Sequence, residues 1–358
     1  MTSEIAADQG VLVKSHTAPD REARIGVIGC GYWGPKLARN FKALQGASLE
    51  MLSDLRADRL EEMRELYPGA AITLDCRDLI KADLDAVAIA TPVQAHYVLA
   101  KAALEAGKHV LVEKPITRRA DRARELVDLA ASRGLTLMVG HTFVYNPAVE
   151  AVREIIQSGE LGTIFYLNST RVNLGLLQPD INVMWDLAPH DLSILSFVLD
   201  GYPVSVSARG AVYVNTSGRL PEVAYLVLRF ENGVTASLRL SWLDPLKVRS
   251  LIVVGSKKML VYDDLAENKV IVYDRGVDVP PYSVTEEEFR ASYRHGEETI
   301  VPLTWVEPLR AQCAHFLECI RTGKEPRSGG LAGLRVVQIL ETAQRSLMNG
   351  GVELGIEY

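Results

Sequence analysis

The chain has 358 residues, of which 48 % are hydrophobic and 23 % charged, with a net charge of −6. At about 150 residues per domain this is enough for two cored soluble domains, and the acidic balance disfavours general nucleic-acid binding, which needs a basic face. Cys30, Cys76, Cys313 and Cys319 form no C-x-x-C pair, which argues against a disulfide scaffold or zinc ribbon and fits a reducing compartment.

No apolar run approaches the ~18 residues of a membrane span. Residues 1–22 read as a polar leader without signal-peptide features, so a cytoplasmic protein is expected. From Arg24 the pattern alternates. Strands are expected at Arg24–Gly29, Leu49–Ser53, Asp85–Ala90, His109–Val112 and Leu135–Val139. Helices are expected between them, at Pro35–Leu44, Asp58–Tyr67, Val93–Ala106 and Arg118–Arg133. Short strands that are apolar on both faces and alternate with helices predict a parallel sheet covered by helices. After about Gly140 the pattern changes. One helix, Pro147–Ser158, precedes longer strands, among them Thr163–Val172, Val204–Val214, Val223–Phe230, Val234–Trp242 and Val248–Val254. Val234, Ala236, Leu238, Leu240 and Trp242 share one face, the period-2 signature of an antiparallel sheet with two unlike faces. Helices are expected at Leu187–Leu199, Pro308–Arg321 and Leu331–Met348. The fold class is therefore α/β, a parallel-sheet domain (23–140) followed by an α+β domain (141–358) with a large, mostly antiparallel sheet. The polar stretch Arg275–Glu298 reads as a functional loop or interface arm.

Gly29-Cys30-Gly31-Tyr32-Trp33-Gly34 is G-x-G-x-x-G between an expected strand and helix, the context of a dinucleotide fingerprint. Gly29 permits the turn, Gly31 lets backbone approach a pyrophosphate, and Gly34 allows close helix–strand packing. Asp54, twenty residues on, is placed to accept ribose hydroxyls, which favours NAD over NADP. Arg56 could instead accommodate a 2′-phosphate. Tyr32 and Trp33 could cover the cofactor or pack in the core. Thr91-Pro92 and Glu113-Lys114-Pro115 follow later strands, at the sheet edge where such folds bind ligands. There Lys114 is placed to face a nicotinamide.

Asp186 and His190 stand at i and i+4, one helix face, suited to a carboxylate and an imidazole acting on one hydroxyl. A capping Asp and a core His would read the same. No third ligand stands at metal spacing, so no metal is expected. His141, Tyr145, Asn146, Arg171 and Asn173 are polar candidates for substrate contact. Arg171 could fork onto a phosphate or carboxylate, or be structural.

Together these residues resemble the Gfo/Idh/MocA family of oxidoreductases. The resemblance rests on GCGYWG, Thr91-Pro92 with His96 behind it, Glu113-Lys114-Pro115, Gly140-His141 and Asp186-x-x-x-His190. It implies a Rossmann domain, then a domain whose open sheet makes dimers or tetramers. It implies NAD(P)-dependent oxidation or reduction of a sugar, cyclitol or nucleotide-sugar carbon. It also implies Lys114, Asp186 and His190 as the catalytic set, and His96 and Glu113 beside the cofactor. Inositol-dehydrogenase-like members tend to carry Gly four residues before the Asp, where this chain has Asn182. The stretches around Ser169 and Trp185 resemble a branch associated with nucleotide and antibiotic sugars. The expected mechanism has His190 as general base, Asp186 orienting it or binding a neighbouring hydroxyl, and Lys114 stabilising the alkoxide. The alternatives are a cyclitol dehydrogenase, an NAD-dependent glycosidase and a non-enzymatic dinucleotide sensor.

Overall fold

The computed structural model describes residues 21–178, 180–214, 220–278 and 292–358. The expected leader lies outside these except for Arg21 and Glu22, and the Arg21 guanidinium grips Asp85 through two 2.7 Å bonds.

The first sheet is built from β1 (Ala23–Ile28), β2 (Ala47–Ser53), β3 (Ala71–Thr73), β4 (Ala86–Ile89), β5 (His109–Val112) and β6 (Leu137–Val139). Its order is β3-β2-β1-β4-β5-β6, with every pair parallel. The connecting helices are α1 (Gly34–Ala43), α2 (Ala57–Leu66), α3 (Cys76–Lys81), α4 (Val93–Glu105) and α5 (Ala120–Arg133). β4 is wholly buried, as expected of a strand covered on both faces. The chain reverses its winding between β1 and β4, so the carboxyl ends of those strands form the ligand crevice. β3 and α3 escape sequence reading because three and six residues are too short to show a period.

The second sheet follows a 3-10 turn (Thr142–Tyr145) and α6 (Pro147–Gln157). Its strands are β7 (Ile164–Leu174), β8 (Pro203–Ala211), β9 (Val223–Phe230), β10 (Thr235–Ser241), β11 (Leu243–Gly255), β12 (Met259–Asp263), β13 (Val270–Asp278), β14 (Ser292–Ile300) and β15 (Leu354–Gly355). The order is β14-β13-β12-β11-β7-β10-β9-β8-β15, antiparallel except for β7 with β10. One face is core: Leu228, Ala236, Leu167 and Val253 line up across four strands and are buried. The next row, Val227, Ser237, Asn168 and Ile252, lies on the opposite face and stays accessible. The described ends of the expected loop at 275–298 are strand: β13 runs on to Asp278 and pairs with β14, while 279–291 lie outside the described residues.

The remaining helices are α7 (Val183–Leu199), α8 (Pro308–Thr322) and α9 (Gly330–Met348). α7 packs on the second sheet, α8 returns to the first, and α9 lies against both, with Val336, Ile339, Leu340 and Ala343 in the core of the second sheet. Phe316 of α8 meets Phe41 of α1 with ring centroids 6.3 Å apart, and Leu334 and Val337 of α9 join the core around β4 and β5. Each such buried side chain contributes ~1.5–3 kcal/mol, so these helices fasten the two sheets together.

Candidate active site

The glycine turn is shaped for a dinucleotide. Gly29 has φ +94°, and a Cβ there would strike the Ala90 carbonyl at 2.7 Å. A Cβ on Gly34 would come within 1.8 Å of the Gly29 oxygen, so only glycine lets α1 start this close to β1. Gly31 faces open space, and no side chain caps the first turn of α1. Backbone donors at a helix start beside an open glycine are what a pyrophosphate requires. Asp54 closes the turn from β2: its carboxylate accepts the Cys30 N–H at 2.6 Å and the Arg56 N–H at 2.9 Å. The Arg56 guanidinium is engaged by Asp58. Tyr32 is 74 % exposed on the turn, while Trp33 packs partly into the core beside α1.

Thr91 and Pro92 follow β4, and the Thr91 hydroxyl is buried without a partner. His96 does not reach the crevice. Its ring is buried beneath, with Nδ1 2.9 Å from the Pro115 carbonyl and Nε2 2.8 Å from the Thr91 carbonyl. It clamps the two strand-end loops together, with both ring nitrogens against main-chain carbonyls. Glu113 is likewise turned inward: it is buried, and its carboxyl fills the space that a Cβ on Gly140 would need. Burial raises its pKa to about 7, against the lowering pull of Lys114.

Lys114 crosses from the first domain to the second. Its Nζ donates to the Asp186 main-chain oxygen at 2.8 Å and lies 3.4 Å from Asp186 Oδ1. α7 begins at Val183, earlier than the expected Leu187, because Asn182 caps it by accepting the Trp185 N–H at 3.1 Å. Pro189 sits inside the helix. Having no N–H, it leaves the Trp185 carbonyl without its i+4 donor, next to the carbonyl that Lys114 uses. Asp186 and His190 do share α7, but Asp186 does not orient the imidazole. Its Oδ2 instead accepts the Trp242 indole N–H at 3.2 Å. Trp242 was not among the expected site residues. Its only sequence signal is its place at the end of the alternating run.

The His190 ring is closely surrounded yet keeps some accessible surface. Its Nδ1 is buried with no partner, and Phe143 meets it edge-on at 5.1 Å. Burial lowers its pKa well below the ordinary value, with Lys114, Arg171, His141 and Arg249 pushing the same way. His141 is 1 % exposed and neither ring nitrogen has a partner. Burial, then Lys114, lowers its pKa to about 3. Two buried imidazoles held toward the neutral form thus lie within electrostatic reach of Lys114.

Three expected substrate contacts are engaged elsewhere. Arg171 forms a buried pair with Asp191, Nε to Oδ2 at 2.7 Å and Nη2 to Oδ1 at 3.2 Å, and Ser169 also donates to Asp191. The structural reading therefore holds for Arg171. Tyr145 is buried on the α8 side, its hydroxyl 3.0 Å from that of Ser328. Asn146 caps α6 and reaches Tyr262. Asn173, at the end of β7, lies near Gly175 and Trp242 and stays partly accessible. Among the described residues no group of three or more His, Cys, Asp or Glu could hold a metal, and no helix is long and apolar enough to cross a membrane.

Fold and site together define an oxidoreductase with an NAD-binding Rossmann domain. Residues 23–141 match the oxidoreductase family with NAD-binding Rossmann fold, and residues 149–261 match the GFO/IDH/MocA C-terminal domain. The chain belongs to the Gfo/Idh/MocA family. It is 30 % identical to a UDP-N-acetylglucosamine 3-dehydrogenase of Acidithiobacillus ferrooxidans over 88 % of this chain and 94 % of that one. A solved structure of the enzyme of that name from the same organism superposes with a TM-score of 0.77, at 27 % identity, over 92 % of this chain and 98 % of that one. The myo-inositol 2-dehydrogenase of Thermotoga maritima is 26 % identical over 90 % and 96 % of the two chains.

Proposed function

We propose that the protein is an NAD-dependent dehydrogenase or ketoreductase acting on a ring carbon of a nucleotide-linked or antibiotic-pathway sugar, with C3-type chemistry. The observation that carries this reading is the Lys114 ammonium held on α7 beside His190, which joins the cofactor crevice to the second domain. The likeness to a UDP-N-acetylglucosamine 3-dehydrogenase supports the substrate class.

Gly29, Gly31 and Gly34 with the start of α1 would hold the diphosphate, Asp54 the ribose, and Thr91-Pro92 the cofactor's reactive end. When bound, the nicotinamide supplies the redox chemistry, taking up or returning hydride. His190, kept neutral by burial, takes the proton of the carbinol hydroxyl. Lys114 stabilises negative charge developing on that oxygen. Asp186 holds Lys114 in place and is itself held by Trp242. The partnerless nitrogens of His141 answer a neighbouring sugar hydroxyl, since an orphaned buried polar atom costs ~1–3 kcal/mol. In ketone reduction the same groups run in reverse.

The accessible face of the second sheet carries Tyr166, Tyr225, Val227 and Ile252, all between 38 % and 53 % exposed. This face forms the homodimer or homotetramer contact, and light scattering of a Val227→Asp variant against the parent tests it.

The functional reading is tested by following NADH absorbance with UDP-N-acetylglucosamine, dTDP-glucose, myo-inositol and free glucose. Net NADH with a nucleotide sugar is expected. Turnover of myo-inositol alone would make this a cyclitol dehydrogenase. Sugar release without net NADH would make it a glycosidase, and NAD binding with no turnover a sensor.

A further inference from the structure

β11 carries two cations that the redox set does not use. Arg249 stands directly opposite Arg171 across the β7–β11 ladder, so both side chains share the face that looks toward α7. Like charges at such a position repel, and each arginine has a carboxylate. Arg171 is locked to Asp191 by two bonds and its side chain is 7 % exposed. Arg249 is different: its side chain is 35 % exposed, and among the described residues its guanidinium makes a single 3.4 Å contact, Nη1 to Asp264 Oδ2. Asp264 is shared, because its Oδ1 accepts from the Tyr262 hydroxyl at 3.0 Å and from Asn146 at 3.4 Å. Most of the guanidinium fork is therefore left without a protein acceptor.

The position of this fork is informative. Phe143 lies under both arginines, 4.5 Å from Arg171 and 6.0 Å from Arg249, and its ring edge meets His190. Arg249 is thus one ring away from the imidazole. Lys247, two residues earlier, is exposed and has no ion-pair partner among the described residues. Both cations act electrostatically on Tyr32 of the glycine turn. The Tyr32 hydroxyl is held below its ordinary range first by Lys36, with Lys247 and Arg249 adding to the effect. The carboxylates nearby are committed: Asp186 to Lys114, Asp191 to Arg171, Asp264 to Tyr262, Asn146 and Arg249. The mouth keeps a surplus of positive charge on a net-acidic chain.

We propose that Arg249, assisted by Lys247, forms an oxyanion subsite that holds a carboxylate or phosphate group of the sugar substrate, one step outward from His190. This rests on the sugar-oxidoreductase reading and deepens it, by requiring an anionic group on the substrate. A guanidinium with a free fork suits such a group because it donates two parallel bonds.

The test reads binding rather than turnover, so it stays separate from the fate of the dehydrogenase reading. The full chain is saturated with NAD and titrated calorimetrically with glucose, glucuronate, glucose 6-phosphate and UDP-glucose. These arms distinguish a sugar carboxylate, a sugar phosphate and a nucleotide diphosphate. At least one anionic probe is expected to bind ten-fold or more tighter than glucose. Arg249→Met removes that preference, Arg249→Lys keeps part of it, Lys247→Met weakens it, and none changes the affinity for NADH. Thermal unfolding of each variant confirms the fold. The subsite is overturned if the parent treats all four sugars alike, or if Arg249→Met weakens all four equally. It is also overturned if the variants weaken NADH while the anionic preference survives, which would assign the cations to the cofactor diphosphate.

Discussion

Lys114 Nζ sits 2.8 Å from the main-chain oxygen of Asp186 and 3.4 Å from its carboxylate, so one side chain ties the parallel sheet to α7. The main-chain bond survives loss of the carboxylate charge, whereas the electrostatic hold does not. Asp186→Asn is therefore expected to lower kcat by ~10-fold or more while leaving the affinity for NADH unchanged. Stopped-flow kinetics and an NADH titration check this.

Trp242 is a positioning residue. Its indole donates to Asp186 Oδ2 at 3.2 Å, and a hydrogen bond to a charged group is worth ~1.5–3 kcal/mol. Trp242→Phe keeps the aromatic packing and loses the donor. We expect kcat to fall by ~10-fold with KM little changed. A purely structural Trp242 would instead lower the unfolding midpoint and leave kcat intact.

Arg171 and Asp191 form a buried ion pair. Removing one partner of such a pair costs ~3–5 kcal/mol, because the other charge is left buried. Arg171→Met should lose about that much in urea unfolding, and Arg171→Met with Asp191→Leu should recover part of it. A large rise in KM at undiminished stability would return Arg171 to the substrate.

Glu113 sets a pH dependence. Its pKa is raised from 4.5 to about 7 by burial, so the folded state holds a proton that the unfolded chain has lost. Stability from this group is full below pH 4.5 and is lost as the pH rises to 7. Glu113→Gln should match the parent near pH 4.5 and exceed it above pH 7, by on the order of 3 kcal/mol. Urea midpoints at the two pH values decide, and a constant difference between the proteins would contradict the burial argument.

What could be read from sequence follows range. The glycine turn and the Asp186–His190 spacing are local, and each stands where its residues place it. The roles of Arg171 and Asp186 depended on partners far along the chain. Asp191 is 20 residues from Arg171, and Trp242 is 56 from Asp186. Asp191 meets Arg171 because α7 packs back on β7, and Trp242 meets Asp186 because β10 lies beside β7 in the sheet, and no local period encodes either. Arg249 was invisible for the same reason, since only the β7–β11 register sets it against Arg171. For His96 the motif reports that the residue matters and leaves open which way its ring turns, here between the Pro115 and Thr91 carbonyls.

The central claim is that Lys114 is the charge acting on the reacting oxygen. It is tested most directly by Lys114→Met, assayed for NADH formation with a nucleotide sugar and titrated with NADH in parallel. The account predicts a loss in kcat of ~10²-fold or more with NADH affinity unchanged. Near-normal turnover in that variant would contradict it.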